Sequence, residues 1–362
     1  MLFRSYPVLY LLSPYGDTDM FYISRNLKEI ADEMIASGEI KPMIIVCVNG
    51  YNGYGGSFYG NSFAGGKYVD AIASIQGEPT TGSLIDYVDA ALNTIADGRF
   101  PGKGRANRAI SGVGMGGYGA MRMAITYSEN FGSVSAVSAP LDFDGATGNG
   151  GFVELFKQIL DNANPATHAE FKQLDTSYSF PLQTMVFAAA ASFSPHDTDY
   201  INPEWYPYDW TNQTGPQHWN SDDTLRITDT LTYFEPFGPI SAMKYHLPFY
   251  YNTGVAGVNA NFTYQPIWSL WLDNNLESIL ADYPGALDTT DVFLITTADA
   301  RYNFYQQTLD FSRHLTSNYP NVNLDLNTYS GYEGYEATGE RFFYDILRDI
   351  LKYHSDRFEL MD

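Results

Sequence analysis

The chain has 362 residues, 44% of them hydrophobic, and a formal net charge of -22 that arises from 42 acidic and 20 basic side chains. This length and apolar content suffice for a large buried core, and the single cysteine, Cys47, excludes a disulfide within the chain. A field this negative repels phosphates, so we expect neither a nucleic-acid partner nor binding to an anionic membrane.

Short apolar runs alternate along the chain with amphipathic segments of helix length. Predicted strands cover residues 7–12, 42–48, 109–113 and 292–297, and predicted helices cover 26–37, 83–96, 117–127, 303–317 and 341–354. The first apolar run is far shorter than the roughly 20 residues that cross a bilayer, so we predict a buried strand and no membrane span. Strands that alternate with helices predict an α/β fold with a mainly parallel sheet flanked by helices.

Between residues 141 and 281 this periodic pattern gives way to a sequence rich in aromatic residues, Pro, Asn and Asp. A loop of that length without structure does not fit a compact domain, so we predict a folded insertion, a lid over the carboxyl edge of the sheet. Residues 1–140 and 282–362 would form the core. Aromatic residues of the insertion include Trp205, Tyr206, Trp210, Trp219, Trp268 and Trp271. They suit a stacking platform for sugar or phenolic rings, or equally the core of the insertion.

The most specific pattern is a predicted strand followed by glycines and then by a helix, A-I-S-G-V-G-M-G-G-Y-G-A-M-R over residues 109–122. In serine hydrolases, G-x-S-x-G in this context forms the nucleophile elbow, a tight turn that presents a serine hydroxyl at the start of a helix. Here the frame reads G-V-G-M-G, with Gly114 at the position of the serine. The reactive hydroxyl is therefore absent.

Residues 112–120 resemble the G-x-S-M-G-G-x-G-A segment of the α/β-hydrolase esterase family that includes esterase D, feruloyl esterases and antigen-85-like proteins. Residues 7–12, P-V-L-Y-L-L, are similar to the P-V-L-Y-L-L-H-G strand of that family, although Ser13 and Pro14 replace its H-G. The resemblance covers most of residues 6–140 and 285–354. It implies an α/β-hydrolase fold.

The resemblance also implies an oxyanion hole, built from the backbone N–H of Met115 and one N–H from the loop after the first strand. Pro14 has no N–H, so Tyr15 or Gly16 would supply the second donor. We expect Tyr118 to line the same pocket.

The family's triad runs serine, acid, histidine along the chain. Residues 293–299, F-L-I-T-T-A-D, resemble its acid-bearing loop and put the acid on Asp299. The family's histidine follows in a Y-x-G-G-H pattern, where this chain reads Y-S-G-Y-E-G-Y over residues 329–335, which leaves Glu333 or a neighbouring residue in its place. Without an activated serine and an imidazole, acyl transfer loses covalent and acid–base catalysis. The sequence therefore predicts no ordinary serine-esterase activity.

Other polar residues near these positions have simpler interpretations. Ser111 falls inside a strand, so we predict a buried, hydrogen-bonded structural serine. His196 and His218 are expected in lid packing or at the surface. Asp142 and Asp144 lack the spacing of a calcium loop and are expected to be solvated. No metal or cofactor is predicted.

Asp299 and Glu333, if they lie close together, could act in acid–base catalysis or hold a cation, but we favour a hydrogen-bonded remnant of the former active site.

The sequence is compatible with three functions. The favoured one is an inactive family member whose pocket binds a carbohydrate or an aromatic or acyl ester. The second is an active ester hydrolase in which Gly114 is an introduced substitution or other groups do the chemistry, and the third is an interaction module that uses its acidic surface. The composition favours a secreted or periplasmic protein, and the oligomeric state stays open.

Overall fold

The computed structural model describes residues 5–62, 64–74, 82–145, 151–152, 185–195, 249–251, 258–263, 265–298, 303–330 and 340–359. The strands are β1 (Val8–Leu12), β2 (Ile44–Val48), β3 (Asn61–Ser62), β4 (Gly66–Lys67), β5 (Arg108–Val113), β6 (Ser133–Val137), β7 (Phe249–Tyr251), β8 (Val258–Thr263), β9 (Asp291–Thr297) and β10 (Leu324–Tyr329). The helices are α1 (Met20–Ile23), α2 (Leu27–Ala36), α3 (Tyr68–Ala73), α4 (Leu84–Ala91), α5 (Met115–Thr126), α6 (Met185–Phe193), α7 (Gln265–Leu272), α8 (Leu276–Asp282), α9 (Phe304–Asn318) and α10 (Glu340–Arg357).

A parallel six-stranded sheet forms the centre of the fold, with the strand order β10-β9-β6-β5-β1-β2. Leu12, the last residue of β1, is in register with Val48 of β2 and with Gly112 of β5. Because parallel strands end on the same side, the segments that follow β1, β2 and β5 meet at one carboxyl edge.

Helices cover both faces of the sheet, and alternate residues of each strand serve the two layers. In β1, Val8, Tyr10 and Leu12 belong to the core shared with α3, α4, α5, α8 and α9. Leu9 and Leu11 belong to the second core, which packs against α2 and α10. Such a strand, buried on both faces, reads as a continuous apolar run, which explains why β1 is visible in the sequence.

The sheet confirms the four predicted strands and adds two that the sequence pattern did not predict, β6 and β10. In β6 every residue is buried, but serines alternate with apolar residues and interrupt the apolar run. In β10, an edge strand, exposed and half-buried residues dominate. Neither strand offers the continuous apolar pattern on which the other predictions rested.

Helix α4 is shorter than predicted, since it ends at Ala91 rather than at residue 96. The following residues are extended and bond to the chain before β1: Tyr6 donates its N–H to Asn93 O at 2.9 Å, and Ile95 donates to Tyr6 O at 3.0 Å. Tertiary pairing therefore overrides the local helical preference. Ser83 caps the start of the helix, because its hydroxyl accepts the Asp86 N–H at 3.2 Å.

The described parts of residues 141–281 include α6, α7 and the antiparallel pair β7–β8. Residues 153–184 and 196–248 lie outside the described residues. The insertion and its position over the sheet edge therefore stay a prediction. None of the described helices is both long enough and apolar enough to cross a bilayer.

Candidate active site

Gly114 occupies the sharp turn between β5 and α5, with φ 54° and ψ -117°. Its N–H donates to Val137 O at 2.8 Å, and its carbonyl accepts the Tyr118 N–H at 3.1 Å. This turn therefore joins a central strand to a helix N-terminus at the carboxyl edge. The positive φ is a backbone conformation that L side chains rarely adopt.

Glycines around the turn are required by close packing of backbone on backbone. A Cβ on Gly112 would lie 2.2 Å from the carbonyl carbon of Gly116, and a Cβ on Gly116 would lie 2.2 Å from Leu12 O. A Cβ on Gly119 would lie 2.6 Å from the Tyr59 side chain. Gly112 and Gly116 thus allow contact between β5, β1 and the first turn of α5, and Gly119 leaves room for the Tyr59 side chain.

The three candidate residues for the oxyanion hole, Met115, Gly16 and Tyr15, make other contacts in this structure. Met115, the first residue of α5, is 3% exposed, and its Sδ accepts the Phe58 N–H at 3.2 Å. The Gly16 N–H already donates to Gly55 O at 2.9 Å, so in this conformation it is not directed at a substrate. Tyr15 donates its hydroxyl to Tyr54 O at 3.1 Å.

Tyr118 is fully buried and links α5 to the turn between α7 and α8. Its hydroxyl donates to Asn274 O at 2.7 Å and accepts from Arg122 Nη1 at 3.0 Å. Its ring stacks on Phe143 with centroids 5.4 Å apart. Burial raises the pKa of the Tyr118 hydroxyl. The side chain therefore acts as a structural support in this conformation.

A cluster of buried rings lies beside the turn. Neighbouring ring centroids within it are 5.1–5.7 Å apart. Its members are Phe58, Tyr118, Phe143, Phe152, Phe193 and Trp271. Trp271 is 0% exposed and donates its Nε1–H to Ser194 Oγ at 2.9 Å, and the adjacent Trp268 is 7% exposed. For these two tryptophans the core interpretation is correct.

A family model described as "Putative esterase" matches residues 3–226, which is more than half of the chain. The chain belongs to this esterase family. Esterase MT1326 and Esterase Rv1288, both of Mycobacterium tuberculosis, are each 34% identical to it over 140 residues, covering 38% of this chain. The matched segment spans only 26% of the length of each of these relatives.

A solved structure of a ferulic acid esterase shares the fold, with a TM-score of 0.52 at 17% identity. The alignment covers 98% of this chain and 87% of that chain. Together with the parallel sheet flanked by helices, this likeness confirms the predicted α/β-hydrolase fold of the esterase-family chain.

Several predicted site residues of this esterase-family chain lie outside the described residues. These are Asp299, Glu333, Trp205, Tyr206, Trp210, Trp219, His196 and His218. Strand β9 ends at Thr297, directly before the predicted acid. Convergence of Gly114, Asp299 and Glu333 therefore stays a prediction.

Asp142, which was expected to be solvated, is 2% exposed, and this expectation was wrong. Its Oδ1 accepts the Gly145 N–H at 3.0 Å, in the segment that follows β6. Asp144 is exposed, as expected. Within the part of the chain that the structure describes, no three His, Cys, Asp or Glu side chains are grouped as metal ligands.

The structure also brings together a histidine and serines that the sequence did not link. His354 of α10 lies 2.7 Å from Ser133 Oγ through Nδ1 and 2.9 Å from Ser135 Oγ through Nε2. Ser135 in turn donates to Ser111 Oγ at 2.6 Å, so the prediction of a buried structural Ser111 is confirmed. All four side chains are at most 2% exposed, so no substrate reaches them. Serines at alternate positions of residues 133–135 are the signal that could have indicated this group.

Proposed function

We propose that this esterase-family chain lacks serine-hydrolase activity and keeps the carboxyl edge of its sheet as a binding site for a carbohydrate or for an aromatic or acyl ester. The observation that carries the proposal is Gly114, which provides no nucleophile at a turn whose backbone is otherwise shaped like an elbow. An oxyanion hole without a nucleophile and base supplies only roughly 10³–10⁴-fold over water.

Neither histidine within the described residues supports an alternative catalytic pair. His354 is 0% exposed and is held by serines in the second core. His314 lies on α9 with its Nδ1 3.2 Å from Glu277 Oε1, and burial lowers its pKa. The active-hydrolase alternative would therefore need groups outside the described residues.

Retained backbone strain beside Gly114 supports a binding role. Phe58, Tyr59 and Ser138 are buried non-glycine residues with φ of 46°, 45° and 41°. Phe58 contacts Met115, and Ser138 follows the residue whose carbonyl accepts the Gly114 N–H. Each such conformation costs on the order of 1–3 kcal/mol, and conformations of this kind cluster at functional sites. Their survival beside an empty nucleophile position favours a retained ligand site.

The catalytic half of the proposal is tested with p-nitrophenyl acetate and a fluorophosphonate probe. The wild type is expected to show background hydrolysis and no labelling. G114S alone is expected to stay near background because no imidazole activates it, whereas G114S/E333H is expected to gain labelling at the introduced serine. G98S, at an exposed glycine, is the matched control. Triad-like turnover by the wild type would refute this half.

The binding half is tested by thermal unfolding in the presence of sugars and of hydroxycinnamate esters. A ligand at 100 times its Kd adds about 2.7 kcal/mol to the stability of the fold. We expect at least one of these compounds to raise the Tm, and G56F, which places a ring against Met115 and Tyr15, to abolish the shift. If none of them shifts the Tm, the interaction-module alternative is favoured instead.

A further inference from the structure

A chain of hydrogen-bonded polar side chains crosses the mainly apolar layer between the sheet and α10. The layer is built from aliphatic and aromatic residues of β1, β5, β6, β9, α2 and α10. Four polar side chains project into this layer: Ser133 and Ser135 of β6, Ser111 of β5 and His354 of α10. Ser111 and Ser135 are direct partners in the strand register. A polar group placed in such a layer must be fully hydrogen-bonded, which makes the chain sensitive to any change of protonation.

The hydrogen bonds define one tautomer of the imidazole. Ser135 donates its hydroxyl proton to Ser111 Oγ, so its oxygen is available to accept from His354 Nε2–H at 2.9 Å. Nδ1 is then the acceptor for the Ser133 hydroxyl at 2.7 Å. The neutral imidazole thus satisfies both neighbours, with every bond running in the same direction.

A second proton on this imidazole would disrupt the arrangement. Nδ1 would become a donor, so the Ser133 hydroxyl would have to turn from donor to acceptor. The cation would also lie in a layer where the ring is 0% exposed. Burial and the charge of Arg357 together lower the pKa of His354 to about 3.

Charged groups near the ring do not offset this cost. Arg357 lies on α10 three residues after the histidine, and its own partners are Asp291 of β9 and Asp325 of β10. β6 presents the hydroxyls of Ser133 and Ser135 to the ring, and β5 presents the Ser111 hydroxyl to Ser135. On the α2 side, Glu33 and Glu39 pair with Arg348 at the surface. The four carboxylates named here are thus paired with arginines, whereas on α10 Asp349 accepts from Asn327 and Tyr329 and Asp356 pairs with Lys352.

We propose that His354 is an acid-sensitive latch that holds α10 on the sheet while its imidazole is neutral and loosens the helix when acid protonates it. Helix α10 begins at Glu340, directly after residues 331–339, which contain Glu333. Acid would therefore act on the helix that follows, in the sequence, the segment in which Glu333 is predicted to take the place of the histidine. The latch does not depend on the proposed ligand or on lost catalysis.

The direction of the effect follows from linkage. Above about pH 6.5 the histidine is neutral in both the folded and the unfolded chain, so the latch contributes its full effect. Below that pH His354 is protonated in the unfolded chain but stays neutral in the folded chain. This difference persists until the pH reaches the folded-state pKa of His354, about 3. The unfolding equilibrium constant therefore rises about tenfold per pH unit through this window on account of His354 alone.

The test compares urea unfolding of the wild type and H354Q from about pH 7 to about pH 5, with H314Q as the control because His314 is the other described histidine. Carboxylates contribute equally to the pH dependence of unfolding in the wild type and in H354Q. The difference between the two plots of unfolding free energy against pH therefore isolates the contribution of His354. We expect the unfolding equilibrium constant of the wild type to rise about tenfold more per pH unit than that of H354Q. H314Q is expected to change this slope less than H354Q does, because the His314 side chain is 24% exposed whereas His354 is 0% exposed. Equal slopes for wild type and H354Q overturn the proposal.

Two measurements on the wild type keep the proposal falsifiable if H354Q does not fold. Hydrogen-exchange protection, corrected for the pH dependence of the intrinsic exchange rate, is expected to fall selectively in residues 340–357 and in β6 as the pH falls, before the rest of the sheet opens. Nitrogen NMR is expected to show the His354 ring neutral, with the proton on Nε2, in the folded protein at about pH 5. A protonated ring in the folded protein, or uniform exchange, would contradict the latch.

Discussion

Gly112 and Gly116 meet backbone to backbone across the turn that ends β5. The contact places the first turn of α5 directly on the strand, and Gly116 in turn lies against the carbonyl of Leu12 in β1. Three neighbouring elements thus approach each other at distances that exclude any side chain. Gly114 lies at this turn with φ 54°, directly before α5.

The first prediction is that G112A or G116A destabilises the fold by about 3 kcal/mol or more, because the new methyl group would overlap backbone atoms that cannot move away. Urea unfolding measures the change. G98A is the matched control, since a Cβ at Gly98 would meet nothing within 4 Å. Similar costs at all three positions would show that the elbow backbone is not tightly packed.

The second prediction concerns the capping box of α4. Ser83 Oγ accepts the Asp86 N–H, and Asp86 Oδ2 accepts the Ser83 N–H at 3.0 Å. S83A is expected to lower the free energy of unfolding by about 1 kcal/mol, and S83G by a few tenths, because glycine is a tolerated cap. A cost for S83A equal to that for S83G would show that the box contributes little.

The third prediction concerns the ion pair between Arg108 of β5 and Asp89 of α4. Arg108 donates to Asp89 Oδ2 at 2.6 Å and to Asn130 O at 3.0 Å, with side chains 6% and 20% exposed for Arg108 and Asp89. R108M leaves a largely buried carboxylate without its partner and is expected to cost about 3 kcal/mol, whereas R108M/D89L is expected to regain part of that loss.

The exposed pair Lys28–Asp32 serves as the control for this cycle, with side chains 78% and 62% exposed. K28M is expected to cost less than about 1 kcal/mol. If R108M proves as mild as K28M, the buried pair does not stabilise the fold.

The fourth prediction follows from the net charge of -22. Repulsion among surface carboxylates opposes compaction, and salt screens it over a Debye length of about 10 Å at 0.1 M. The Tm is therefore expected to rise by a few degrees between low salt and about 0.5 M KCl. Tetramethylammonium chloride should act equally if screening is the cause, while a Tm that does not respond to either salt would contradict the explanation.

Sequence patterns were most informative where one physical requirement dominated. The apolar runs of β1 and β5 are continuous because both faces of those strands are covered, and the glycines of residues 112–119 are needed for close contact. β6 was missed because Ser133 and Ser135 serve a buried histidine that is distant in sequence. Asp142 was misjudged for a similar reason, since its burial depends on the path of the chain after β6.

The sequence by itself determined that a mainly parallel sheet and a glycine turn would form and that Gly114 carries no nucleophile, because local periodicity and residue chemistry are properties of short segments. Only the tertiary structure decided that His354 lies among the serines of β6, that Trp271 belongs to the core, and that the Gly16 N–H is already bonded. These outcomes depend on which distant segments pack together, and that packing is set by the whole fold rather than by any one segment.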